Sequence, residues 1–110
     1  MAEAAKVQQD GEALAQLGQS GVDLAKPQRL TFILRFQSEP DALTAAAQLD
    51  ELAFRSTIEQ DDAEGSWAVL AVKTMYAVES DLVGLREKLA VVATQNQGRY
   101  EGWRAATPAP

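Results

Sequence analysis

Glu59, Asp61, Asp62 and Glu64 crowd four carboxylates into one short stretch. Acidic oxygens at that density are the ligand type a hard divalent cation takes. Their spacing lacks the alternation of a calcium loop, and Gly65 follows directly, so the stretch reads as a solvated turn and no metal site is expected. The chain contains no histidine and no cysteine. The usual neutral-pH base, the commonest metal ligand and every thiolate are therefore missing, and serine–histidine or cysteine–histidine catalysis cannot be assembled. Tyr76 and Tyr100 could donate a proton, but nothing near them in sequence forms a base with its orienting partner. The expectation is a protein that is not an enzyme and needs no cofactor.

The elements that would position any other site follow from periodicity. Residues 2–17 are rich in Ala, Gln and Glu, with Val7, Leu14 and Leu17 as a thin apolar stripe broken by Gly11, which predicts an N-terminal helix. Residues 30–36 alternate Leu30, Phe32, Leu34 and Phe36 with Thr31, Ile33 and Arg35, the pattern of a strand with one buried face. Ser38 is placed to cap a helix running to about Leu52, with Pro40 early in it and Glu39 and Asp41 at its positive end. Either Leu43, Ala46, Leu49 and Leu52 or Ala42, Ala45, Leu49 and Ala53 form its buried stripe.

Residues 54–59 and 67–74 read as a hairpin about the acidic turn, with Phe54, Ser56 and Ile58 on one face. A second helix spans about 79–95, capped near Ser80, with Val78, Leu82, Leu85, Leu89 and Val92 or Ala93 in register. A last strand covers 100–105. The order strand–helix–strand–strand–helix–strand specifies an α/β (α+β) ferredoxin-like sandwich, a four-stranded antiparallel sheet with two helices on one face. Residues 1–29 are then an N-terminal helix and lead-in, 30–105 the domain and 106–110 a flexible tail. The expected core includes Leu34, Phe36, Leu49, Leu70, Leu85 and Leu89.

Parity along the strands places a candidate surface. A charged Lys73 is expected to avoid the core, and it shares parity with Trp67, Val69 and Ala71. Arg35 places Ile33, and Glu101 places Trp103, on the same uncovered face. Arg35, Trp67, Lys73, Tyr100, Glu101 and Trp103 become the candidate partner-binding residues, because aromatics beside charges on a bare sheet suit recognition of a protein or of unstacked bases. The alternative is that the tryptophans pack beneath the N-terminal helix or lead-in. Glu12, Asp50, Glu51 and Asp81 lie on helix exteriors, where they are solvated or meet an arginine-rich segment.

The formal charge is −6, which opposes nonspecific attraction to a polyphosphate. The third strand also lacks a basic-glycine-aromatic cluster, so no direct nucleic-acid binding is expected and an RNA-binding module using the open sheet face ranks second. The start Met1-Ala-Glu-Ala-Ala-Lys6 has neither a basic nor an apolar region of a signal peptide, and no apolar run is long enough for a bilayer. A cytoplasmic protein without a membrane role is expected.

The ending Gly98-Arg99-Tyr100-Glu101-Gly102-Trp103 resembles the Tyr-Asp-Gly-Trp signature that closes the domain of the ribonuclease E inhibitor RraB family, the regulators of ribonuclease activity B. The resemblance continues through Leu17 to Leu24 with Gly21, Val22 and Asp23, through Leu30-Thr-Phe-Ile-Leu-Arg-Phe36, and through Trp67-Ala-Val-Leu-Ala-Val-Lys-Thr-Met75. It implies this same architecture and a non-catalytic regulator that binds an endoribonuclease of the ribonuclease E type and inhibits RNA cleavage through protein contact. Glu101 stands where the family has aspartate, keeping the charge. The best-known members carry a long acidic C-terminal extension, whereas this sequence ends at Pro110; if that extension contributes to capturing a basic region of the ribonuclease, weaker binding or a different partner is expected.

Overall fold

The strict alternation of residues 30–36 becomes the strand β1 (Gln28–Phe36), which holds the centre of a four-stranded antiparallel sheet. The computed structural model describes residues 25–105, together with Ala15 and Gln19. The tail and all of the N-terminal helix expected over 2–17 except Ala15 fall outside the described residues. After β1 come α1 (Glu39–Glu51), β2 (Arg55–Asp61), β3 (Ser66–Met75), α2 (Glu79–Gln95) and β4 (Arg99–Ala105). The sheet order β2-β3-β1-β4 is that of the ferredoxin-like sandwich, as the sequence predicts. β1 starts two residues before the expected 30, because Gln28 and Arg29 extend the ladder opposite Met75 and Thr74.

Helix α1 begins where its cap dictates. Ser38 is extended, and its hydroxyl accepts the Asp41 amide at 3.3 Å. Its buried stripe is Ala42, Ala45 and Leu49. The small alanines let the helix approach the sheet, while Leu43, the alternative, is 54% exposed. Helix α2 has the expected bounds but not the expected cap. Val78 occupies the capping position without a side-chain bond, and Ser80 lies inside the first turn with Glu79 and Asp81 beside it. Carboxylates there favour the helix N-terminus electrostatically in place of a hydroxyl.

Leu30, Phe32, Leu34 and Phe36 are fully buried between the sheet and both helices, against Leu49, Val69, Leu82 and Leu89. Phe54 meets Phe32 edge to face, with ring centroids 5.6 Å apart. Two expected core residues are corrected. Leu70 pairs with Ile33, so it lies on the face away from α1 and α2 and is only half-buried. Leu85 is likewise half-buried and packs against the rim of the core rather than within it.

Candidate functional site

Arg35 leaves β1 on the face away from the helices, flanked across the ladder by Ala68 of β3 and Arg99 of β4. A guanidinium at the middle of a sheet cannot reach bulk water freely, and the Arg35 side chain is only 15% exposed. It must find partners, and three segments supply them. Its Nε donates to Glu101 Oε1 at 2.8 Å, and its Nη1 donates to Ser66 Oγ at 2.9 Å and to Asp61 Oδ2 at 3.3 Å. Glu64 Oε2 lies 3.5 Å from the same Nη1. Arg99 closes the cluster on the other oxygen of Glu101, at 3.1 Å. The hydrogen bond to Glu101 and the charges of Glu101, Glu64 and Asp61 hold the Arg35 pKa above its ordinary value, outweighing the opposing effect of burial.

The acidic turn is thus more than solvated chain. Asp61 also accepts the Glu64 amide at 3.3 Å, which folds the turn back toward the arginine. Among the described residues no group of carboxylates is arranged to hold a metal ion. Where Asp61, Glu64 and Glu101 converge, Arg35 already fills the space between them. Ser66 is nearly inaccessible, and nothing in a serine beside a turn announces an arginine partner.

The other candidate residues are brought to different places. Trp67 pairs with Phe36, Ala71 with Phe32 and Val69 with Leu34, so this set faces the helices. The parity expected from Lys73 is therefore reversed. Lys73 does lie on the helix side, opposite Leu30, but near the end of the strand. From there its stem follows apolar surface and its ammonium sits 5.1 Å from the centre of the Phe54 ring. Tyr100 and Trp103 are three positions apart and would fall on opposite faces of a regular strand. The register shifts between Ile33, paired with Gly102, and Leu34, paired with Tyr100, leaving Glu101 as the extra residue of a β-bulge. Gly102 accommodates it with φ +124°. Tyr100 and Trp103 consequently both turn to the helix side, opposite Leu34 and Phe32, while Glu101 reaches Arg35.

The face away from α1 and α2 is charged at both ends. Arg29, Arg55 and Arg104 gather at one end around Val72, Thr31 and Thr74, and Arg29, Arg55, Val72 and Thr74 line a shallow depression of about 340 Å³. Among the described residues these three arginines make no ion pair. The Arg35 cluster, with Glu59, occupies the opposite end, and Ile33 and Leu70 lie between. The paired positions of this face carry no aromatic ring. It offers no platform for stacking unpaired bases.

A family model described as regulator of ribonuclease activity B matches residues 7–104. The chain belongs to this family. It is, with that family, a non-catalytic regulatory protein, and the match covers the first five elements and reaches into the last strand. A search of curated proteins found no match. Among the described residues no helix is long and apolar enough to cross a membrane. The part of the family signature that sequence alone misassigns is its last strand, where Tyr100 and Trp103 belong to the packing and Glu101 to the charged face.

Proposed function

We propose that this family member acts in the cytoplasm, where it binds an endoribonuclease of the ribonuclease E type and lowers its rate of RNA cleavage by protein contact. The observation that carries this reading is the family match over residues 7–104. The chain's lack of histidine and cysteine supports a role exercised by binding. The docking surface forms part of the same proposal. Glu101, held in place by Arg35, and exposed Glu59 lie at the acidic end of the open face on opposite edge strands, with exposed Asp62 in the adjoining turn. That end offers carboxylates to a basic segment of the ribonuclease, and charge complementarity of this kind mainly accelerates association. Trp67, Lys73, Tyr100 and Trp103 contribute by fixing the sheet that carries it. The test measures binding of the purified chain to a ribonuclease of that type, alongside cleavage of a short RNA at saturating and sub-saturating chain. Stoichiometric binding with slowed cleavage is expected. Slowing that appears only when the chain binds the RNA itself, or no binding at all, overturns the proposal.

A further inference from the structure

The open face of the sheet is charge-matched to itself. Among the described residues Arg29, Arg55 and Arg104 are unopposed at one end, whereas the four carboxylates of Glu59, Asp61, Glu64 and Glu101 against two guanidiniums, those of Arg35 and Arg99, leave the other end net negative. The row between them, Thr57, Leu70, Ile33 and Gly102, contains no charge. We propose that this face binds a second copy of the chain, sheet against sheet, about a two-fold axis running along that uncharged row.

Such an axis lies in the interface and crosses the strands, so it reverses strand direction while keeping each strand over its own copy. The basic end of one copy then covers the acidic end of the other, and every contact occurs twice. Arg55 and Glu59 make the clearest pair. Both are exposed on β2 and lie two positions either side of Thr57. Being four residues apart on one strand, about 13 Å, they cannot meet within a chain. Across the axis Arg55 of one copy stands over Glu59 of the other. Leu70 and Ile33 meet their own symmetry mates at the centre, where sheets pack about 10 Å apart.

The available area limits the strength. Four strands about 4.8 Å apart and roughly seven residues long present about 440 Å² per copy. About 900 Å² in total falls below the ~1,200 Å² of stable complexes, so the dimer is weak and populated at high concentration and low salt. Screening weakens it further, because the end contacts are ionic and peripheral. None of this depends on the ribonuclease being the partner.

Sedimentation equilibrium of the full chain across a wide concentration range, at low and high salt, tests the proposal. The average mass is expected to rise toward the dimer at low salt and to fall back at high salt. R55E and E59R, at two exposed positions, should each remain monomeric with unchanged circular dichroism. The double variant R55E/E59R, and an equimolar mixture of the two single variants, should recover association, because each restores both opposite-charge pairs. A wild-type chain that stays monomeric throughout overturns the proposal, as does a dimer indifferent to both single reversals. Binding of a glutamate-rich peptide to a monomeric wild-type chain, lost in R55E, would also overturn it and assign the arginines to an acidic partner segment.

Discussion

Arg35 illustrates how a single partly buried cation organises distant chain. Its guanidinium serves Glu101, Asp61, Glu64 and Ser66 at once, so removing it leaves carboxylates clustered without their counter-charge. Arg35→Met is expected to cost about 1–3 kcal/mol, by the usual worth of hydrogen bonds to charged groups. A denaturant titration checks this, and the loss should shrink for R35M/E101Q, which removes the strongest stranded acceptor. The sign of the pH dependence follows from the raised pKa of Arg35. Its contribution is fully present below the ordinary arginine value and is lost only as pH rises past the raised one, in the strongly alkaline range. Arg35 therefore adds no slope to stability near neutral pH. Core leucines differ by depth: Leu89, fully buried, should cost about 2–5 kcal/mol on truncation to alanine, and half-buried Leu85 roughly half that. Equal losses at both sites would show that Leu85 is as deeply packed as Leu89.

The helices end alike, and their ends are where single elements hold strain. After α1 the amides of Ala53 and Phe54 reach back to Asp50 and Leu49, and after α2 those of Gln97 and Gly98 reach back to Thr94 and Ala93. Each ending needs a left-handed residue, supplied by Ala53 at φ 70° and Gln97 at φ 61°. Side chains with a Cβ occupy that region at a cost, so Ala53→Gly and Gln97→Gly are each expected to raise stability by about 0.5–1 kcal/mol. Thermal melts check this, and a drop in both would show that the left-handed caps are not kept. Gly98 behaves oppositely. A Cβ there would strike the carbonyl of Arg35 and the ring of Phe36, so Gly98→Ala should lose about 1–3 kcal/mol by forced overpacking. In β4 the constraint on Gly102 is conformational instead, since a Cβ there meets nothing within 4 Å. Gly102→Ala is expected to loosen the bulge that sets Trp103 and Glu101 on their opposite faces.

At the scale of the whole molecule, one face of the sheet carries the packing and the other carries the charge. This division makes stability and binding separable. Trp103→Ala should lower the melting temperature, because Trp103 packs against the core, and should alter ribonuclease binding only through loss of folded chain. E59K/D62K should leave the melt nearly unchanged and slow association with the ribonuclease roughly tenfold at low salt, with less effect at high salt. Normal binding by that variant, measured by stopped-flow or biolayer methods, would move the docking surface to the helix exteriors. There Glu51 is the fitting next substitution, because Asp50 is already engaged by the hydroxyl and amide of Ser56. R55E, which removes the proposed self-association, should leave ribonuclease binding intact or strengthen it by freeing the acidic end.

Much of this architecture is legible in the sequence. β1 alternates apolar and polar residues so strictly that its buried face is determined, and the bounds of both helices follow from Ser38, from the first-turn acids and from the apolar spacing. The motifs in order sufficed to indicate the family. The facing of β3 was not legible, because Trp67, Val69 and Ala71 on one side and Ala68, Leu70 and Val72 on the other are both apolar, and such a strand has period but no phase. Lys73 then misleads, since a long side chain near a strand end can leave the core side without being buried. The facing of Trp103 depends on one inserted residue in β4, which only the ladder with β1 reveals. The Arg35 cluster lay furthest from the sequence. Its partners stand 26, 31 and 66 positions away in the chain, and no local spacing relates residues that meet only once the sheet's register has been set by the sum of its pairings.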